Sequence, residues 1–348
     1  MKVSPQHKNA IYDISGNVIY PYLSPGINLY SNNEYYQVQS FLGAGAFGQV
    51  YSVKQRSTGK EYALKIGRNT PGQSDQLHNE INIYFTLNQF LNNDELESFC
   101  HIIDSFQDSN YIVMILEKID CSLLDFLDKR GFVGLTLNYV QLILRGLLRA
   151  VRLLHNLELI HTDIKPENIM FQKVDNRSLV KLIDFGAVCR SDSNIPIYTQ
   201  TLFYRAPEVF LHLPKNYKMD IWSIGCVLAE CYLGLPIFAG GSSLEVMRLI
   251  EERIGLFPQE MIRMSPRRAE YFNGNRVKQP GEGEKRDKQF DYKFRTLREN
   301  VYFQKYPNEC QEEKDEFFDL LRGMLAIDPE ERFTIEQIEN HPFTIRQM

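Results

Sequence analysis

Between His161 and Gly186 the chain gathers residues whose combination points to chemistry rather than packing. His161-Thr162-Asp163-Ile164-Lys165-Pro166-Glu167-Asn168 is followed by Asp184-Phe185-Gly186. Two carboxylates, a lysine and an amide on two neighbouring loops can place a base beside a hydroxyl and can hold divalent cations beside a polyphosphate. Such groups need a rigid support. Val140, Ile143, Leu144, Leu147, Val151 and Leu154 repeat at helical spacing and read as the core-facing stripe of a long helix beneath the first loop. Asp163 follows a short apolar approach, which projects it from a buried scaffold, where reactive groups are commonly carried. A lone Asp-Phe-Gly occurs easily by chance, so the rest of the chain has to agree with it.

Upstream, Val38-Gln39-Ser40-Phe41-Leu42 leads as a strand into Gly43-Ala44-Gly45-Ala46-Phe47-Gly48-Gln49-Val50, and Val50-Tyr51-Ser52-Val53 leads out. Glycines at 43, 45 and 48 let backbone amides approach a triphosphate with no side chain between, although a hairpin that binds nothing has the same spelling. Lys65 separates the two readings. In Tyr62-Ala63-Leu64-Lys65-Ile66, alternation puts Tyr62, Leu64 and Ile66 on one face, and a small residue and a cation, Ala63 and Lys65, on the other. Leu77, Ile81, Tyr84 and Phe85 have helical spacing. Glu80 is the only acid inside that turn pattern, either a solvated surface residue or the partner of Lys65. Tyr111-Ile112-Val113-Met114-Ile115-Leu116 reads as an interior strand, ending at Glu117-Lys118-Ile119.

With Ala206-Pro207-Glu208 and Asp220-Ile221-Trp222-Ser223-Ile224-Gly225 following in order, these motifs resemble those of a eukaryotic protein kinase over roughly residues 34 to 345. The resemblance implies an α+β, bilobal protein-kinase fold. Residues 1–33 would be an extension, 34–118 a small antiparallel-sheet lobe with one main helix, and 119–345 a larger, mostly helical lobe. It also implies ATP and Mg²⁺ as cofactors and serine/threonine protein kinase activity. Asp163 would orient the attacking hydroxyl and accept its proton, Lys165 would neutralise the γ-phosphate, and Asn168 with Asp184 would hold Mg²⁺. Leu42, Gly43, Gly45, Gly48, Val50, Ala63, Lys65, Glu80, Leu116, Glu117, Ile119 and Met170 form the nucleotide-binding set that the family predicts. Within it Val50 and Ala63 would roof the adenine, and Lys65, paired with Glu80, would meet the α- and β-phosphates. Leu116 would be the gatekeeper, with Glu117 and Ile119 offering backbone groups to the adenine edge. Loss of Lys65, Asp163, Asn168 or Asp184 would mark a pseudokinase scaffold, and all four are present. Ala206-Pro207-Glu208, which shapes a peptide platform in the family, speaks against a small-molecule substrate.

Phe203-Tyr204-Arg205 before Ala-Pro-Glu resembles the CMGC group, and Ile197-Tyr198-Thr199-Gln200 resembles its dual-specificity tyrosine-regulated and homeodomain-interacting branches. This implies tyrosine autophosphorylation at Tyr198, with Arg205 receiving the phosphate. In those branches a second arginine does so too, and here that position is Leu202. Thr162 stands where most kinases have the arginine that performs this task. His161-Thr162-Asp163 is the spelling of LAMMER kinases, so a LAMMER-like or splicing-factor-type kinase without tyrosine autoactivation stays open. A polar insert over about 260–312, locally basic through Arg263, Arg267, Arg268, Arg276, Lys278, Lys285, Arg286 and Lys288, lies where CMGC kinases carry theirs. Asp328-Pro329-Glu330-Glu331-Arg332 and His341-Pro342-Phe343 close the domain, and in the family that arginine pairs with the Ala-Pro-Glu carboxylate, here Glu208. Protein substrates are expected, with basic residues upstream of the phosphosite through Glu167 and proline downstream through Arg205.

Composition bounds the remaining alternatives. The 348 residues are 43% hydrophobic, enough for a substantial core in two lobes. A net charge of -5 gives no global basic field for nucleic acid or anionic membrane, and a monomer acting on protein is expected. The six cysteines are scattered without a Cys-x-x-Cys pair or a nearby histidine, which reads as reduced thiols in the cytoplasm or nucleus. The first residues lack the apolar core of a secretory signal. Ile221 to Phe238 is the most apolar run, but Glu230 and Pro236 interrupt it, and it reads as a buried helix rather than a membrane span. Residues 1 to about 33 are either a strap packed on the small lobe or a flexible tail.

Overall fold

The computed structural model describes residues 11–12, 18–20, 23–31, 34–45, 48–70, 72–107, 110–174, 177–193, 195–196, 199–279, 296–304, 306 and 309–347. The chain forms two compact units, residues 1–120 with 183–187, and residues 121–182 with 188–348. No helix among the described residues is long and apolar enough to cross a membrane.

The first unit is built on one antiparallel sheet. Its strands are β1 (Asn28–Ser31), β2 (Glu34–Gly45), β3 (Gly48–Gln55), β4 (Glu61–Arg68), β5 (Ile102–Gln107) and β6 (Tyr111–Glu117), in the order β1-β2-β3-β4-β6-β5. Between β4 and β5 runs one long helix, α1 (Gln73–Phe90). Alternation decides which face is buried. Tyr62, Leu64 and Ile66 join Tyr36, Val38, Tyr51, Val53, Val113 and Ile115 in a single apolar cluster. Leu23 and Leu29 belong to the same cluster, and the Leu23 N–H donates to the Tyr51 hydroxyl at 3.2 Å. Residues 23–31 are therefore a packed strap, and the sheet begins at Asn28 rather than at residue 34, where the sequence placed the lobe's start. Four residues with a single buried leucine give too short a run for periodicity to register, yet fully burying a leucine such as Leu29 or Leu23 contributes about 1.5–3 kcal/mol. Farther upstream, Ile11–Tyr12 pairs with Val18–Tyr20.

The second unit opens with β7 (Cys121–Ser122) and α2 (Leu123–Lys129). Ser122 and Asp125 form a reciprocal capping box at the start of α2, each side chain accepting from the other's backbone N–H. Next come α3 (Leu137–Asn156), β8 (Leu159–Ile160), β9 (Ile169–Val174), β10 (Arg177–Leu182) and β11 (Cys189–Arg190). All six residues of the apolar stripe predicted from the sequence are buried on α3. Strands β10, β9 and β7 form one small sheet, and β8 pairs with β11. The apolar run at 221–238 supplies α4 (Lys218–Leu233), buried on nearly every side as a central core helix is. It stops at Gly234, where φ is 88° and an added Cβ would sit 2.0 Å from the Phe132 carbonyl oxygen. Arg332 Nη1 and Nη2 donate to the two Glu208 carboxylate oxygens at 2.7 and 2.9 Å, with both side chains buried. The insert forms short helices Gln259–Met264, Arg268–Tyr271 and Leu297–Phe303. Lys285, Arg286 and Lys288 lie outside the described residues.

Candidate active site

In the first unit the sheet register assembles one face. Val50 stands opposite Lys65 on β3 and β4, and Ala63 stands opposite Leu116 on β4 and β6, so these four residues share a side. Lys65 Nζ donates to Glu80 Oε2 at 2.7 Å and to Asp184 Oδ1 at 2.9 Å. Glu80 is no surface residue: it is buried on α1 beside Leu77, Ile83, Tyr84 and Leu87. Burial alone would pull the Lys65 ammonium down, but the two carboxylates outweigh it and hold it above its ordinary value. Burial pushes the Glu80 carboxyl up, with Lys65 pulling against it. Asp184 reaches the lysine from a left-handed backbone (φ 66°), a conformation that costs about 1–3 kcal/mol and persists only where neighbours impose it. The next residue supplies that constraint, since the Phe185 ring packs edge-on against Tyr84 (5.0 Å) and Phe99 (5.8 Å).

The glycine-rich hairpin closes with Gly45 paired to Gly48. Gly48 is demanded by the sheet itself: at φ 154° an added Cβ would lie 2.3 Å from the Ile66 carbonyl oxygen. Gly43 is different, because an added Cβ there would meet nothing within 4 Å, leaving open space over the strand. Leu42 beside it is exposed. At the end of β6 the Glu117 N–H donates to the His101 carbonyl at 2.8 Å, whereas the Ile119 backbone has no hydrogen-bond partner among the described residues. A bare glycine strand, a cation held on the same sheet and an unused backbone amide fit a nucleotide of adenine and phosphates.

The second unit carries the other cluster. Asp163 Oδ2 accepts from Lys165 Nζ at 2.6 Å, while Oδ1 accepts from the Thr201 hydroxyl at 2.6 Å and the Thr201 N–H at 3.1 Å. Lys165 Nζ also donates to Thr201 Oγ1 at 3.0 Å. Asn168 Nδ2 donates to the Asp163 carbonyl at 2.9 Å, which leaves the amide oxygen turned away from it. The loop is held from below by Asp220, whose carboxylate accepts the N–H groups of His161 and Thr162 and the His155 ring nitrogen, each at 2.9 Å. Burial would push that carboxyl up, but these hydrogen bonds keep it below its ordinary value. They also explain how Thr162, a β-branched residue, is kept at φ 65°. Met170 is half-buried on β9 opposite Lys181 and Ser122. Asp184 in the first unit carries a carboxylate and Asn168 in the second an amide oxygen, each by itself a hard donor of the kind that Mg²⁺ takes.

Arg205 donates to the Thr199 carbonyl (3.0 Å) and the Gln200 carbonyl (2.9 Å), and its guanidinium lies 5.3 Å from the centre of the Phe210 ring. Gln200 is left-handed (φ 63°) and pinned by its own side chain, which donates to Ser223 and Met219 and accepts from the Ala206 N–H. Tyr198 lies outside the described residues. Two functional contacts were missed in the sequence, the Thr201 hydroxyl on Asp163 and the Tyr204 hydroxyl donating to the buried Glu230 at 2.7 Å. Neither has a local signal, since each joins residues far apart in the chain.

Comparison with known proteins agrees with this arrangement. The family model for the protein kinase domain matches residues 36–344. Serine/threonine-protein kinase ppk15 of Schizosaccharomyces pombe is 31% identical over 329 residues, which covers 88% of this chain and 61% of that protein. Homeodomain-interacting protein kinase 2 of mouse is 34% identical over 330 residues, 88% of this chain and 27% of its own length. Dual specificity protein kinase YAK1 of Saccharomyces cerevisiae is 30% identical over 344 residues, 90% of this chain and 42% of that protein. The chain thus spans less than two thirds of each of these relatives, from 61% down to 27% of their length. By its motifs, its fold and these matches, the chain belongs to the protein kinase family and resembles the homeodomain-interacting, Yak1 and tyrosine-regulated kinases of the CMGC group.

Proposed function

We propose that the chain transfers the γ-phosphoryl group of ATP to serine and threonine side chains of proteins. Lys65 holds the nucleotide's phosphates and Glu80 fixes Lys65. Asp163 orients the substrate hydroxyl and takes its proton, and Lys165 balances charge on the γ-phosphate. Asp184 and Asn168 would hold Mg²⁺, whose charge would offset that of the phosphate oxygens. With no covalent intermediate, positioning and electrostatics supply the rate. The observation that carries this reading is the Lys65–Glu80 contact at 2.7 Å, the ion pair that an active protein kinase needs and a scaffold does not. The test is phosphoryl transfer from ATP to a serine/threonine peptide by the purified chain and by Asp163→Asn. Asp163→Asn should bind ATP as the parent does while turnover falls about 10²–10⁴-fold. Turnover within about threefold of the parent would remove Asp163 from the base role.

Proline after the phosphosite follows from Arg205. With the Thr199 and Gln200 carbonyls already accepting from its guanidinium, a substrate backbone N–H would compete for them, and proline, which has none, loses nothing. A Ser-Pro peptide should therefore outperform its Ser-Ala counterpart in kcat/KM. Tyrosine autophosphorylation at Tyr198 is the finer part of the proposal, supported by the Tyr198-Thr199-Gln200 spelling and by similarity to a kinase named as dual-specificity. Mass spectrometry of bacterially made protein should find phosphate on Tyr198 in the parent and none in Asp163→Asn.

A further inference from the structure

On both sides of residues 197 and 198, which lie outside the described residues, side chains take the backbone carbonyls of the segment. Lys215 Nζ donates to the Ile195 carbonyl at 3.1 Å and to the Pro196 carbonyl at 2.9 Å. Arg205 takes those of Thr199 and Gln200. From residue 191 to residue 200 the described residues form no helix or strand, so no ladder satisfies these groups and side-chain donors meet four of the carbonyls. Lys215 sits just before α4 and close to the buried Met219 and Asp220, a firm anchor. It is not spent on a carboxylate: among the described residues no aspartate or glutamate lies within ion-pair distance of its ammonium. An ammonium drawn partly out of water without a counter-charge is costly. Burial accordingly pulls Lys215 below its ordinary value, and the two charge-assisted hydrogen bonds are what offset the loss. One residue beyond Gln200 stands Thr201, whose hydroxyl touches both Asp163 and Lys165.

We infer that Lys215 is a positioning residue for the transfer reaction, holding the activation segment ahead of Tyr198 as Arg205 holds it behind. Two cations on backbone carbonyls then set the peptide-binding side of the segment whether or not Tyr198 carries phosphate. The inference rests on the protein kinase reading above. Its test compares Lys215→Gln with Lys215→Arg, each in the parent and in Tyr198→Phe, by hydrogen exchange over residues 191–204 and by steady-state kinetics. Lys215→Gln should quicken amide exchange at 195–200 by about tenfold and raise peptide KM by about fivefold, with ATP KM unchanged within about twofold. Lys215→Arg, which keeps a charged donor, should restore both, and the effects should persist in Tyr198→Phe. Unchanged exchange in Lys215→Gln overturns the inference and leaves the kinase reading standing. A rise in ATP KM equal to that for peptide, with a lowered melting temperature, overturns it too, because the residue would then be merely structural. Faster exchange in a chain that phosphorylates no peptide would sink the kinase reading while upholding the tether.

Discussion

Two buried ion pairs in this chain have the same chemistry and opposite degrees of closure. In Arg332–Glu208 both carboxylate oxygens are met by guanidinium N–H groups, and Arg332 spends its other donors on the carbonyls of Ala326, Ile327 and Lys218. Neither side chain has more than 1% of its surface exposed. In Lys65–Glu80 the glutamate is equally buried, but the lysine is 11% exposed and its second partner, Asp184, is 25% exposed. An ammonium has three N–H groups, and two of those of Lys65 are taken. The closed pair has nothing left to give a ligand, whereas the open pair keeps a donor on Lys65 beside a carboxylate that is a quarter exposed. A buried pair reads as structural or functional according to what remains unspent.

The comparison breaks most sharply when one partner of each pair is removed. Glu208→Gln leaves an always-charged guanidinium buried without its counter-charge and should cost about 3–5 kcal/mol of unfolding free energy in urea. A loss below about 1 kcal/mol would mean that closure is not what stabilises this region. In the open pair, Lys65→Met should cut turnover by about 10²-fold or more, since it removes the cation proposed to meet the phosphates. Combined with Glu80→Gln, its effect should be far from multiplicative, because coupled neighbours show interaction energies of about 0.5–3 kcal/mol in a double-mutant cycle. Independent effects would return Glu80 to a purely structural role.

A third buried carboxylate shows what happens without any cation. Burial pushes Glu230 up to about 8, with the Tyr204 hydroxyl pulling against the rise and Glu167 adding to it. The folded chain therefore keeps a proton that the unfolded chain releases in the ordinary carboxylate range. The stability this group contributes is complete below that range and is lost as pH climbs towards about 8. Glu230→Gln, neutral at every pH, should gain on the parent by about 1–3 kcal/mol between about pH 5 and about pH 9 in urea unfolding. A difference that does not change with pH would show the carboxyl to be charged throughout. The smallest effect concerns the segment that Arg205 and Lys215 already hold. Tyr198→Phe should lower turnover only several-fold, roughly 1 kcal/mol in the barrier, because the phosphate adds to contacts present without it. Complete loss of activity would make phosphate the organiser of the segment.

Each half of the open pair was placed on its element by a local period, and their pairing came from the family resemblance. Alternation set Lys65 across from the buried face of β4, and helical spacing put Glu80 on α1 with apolar neighbours. The long stripe on α3 and the buried run of α4 were legible for the same reason. What periodicity does not carry is the meeting of distant groups. Thr201 on Asp163, Tyr204 on Glu230 and Lys215 on Ile195 are set by the path of an irregular segment over the second unit. The strand at Asn28–Ser31 was missed because four residues are too few to show a pattern, and its leucine is recognised only by the core it enters.

The most direct test reads stability and turnover from one preparation of Glu80→Gln. In the parent Lys65 also has Asp184 at 2.9 Å, so the substitution leaves the cation one carboxylate partner. The account predicts an unfolding free energy within about 1 kcal/mol of the parent and phosphoryl transfer reduced by at least about tenfold, the signature of a charge spent on the reaction. A loss of about 3 kcal/mol or more in stability, with turnover per folded molecule unchanged, would make Lys65–Glu80 a second Arg332–Glu208 and contradict the assignment.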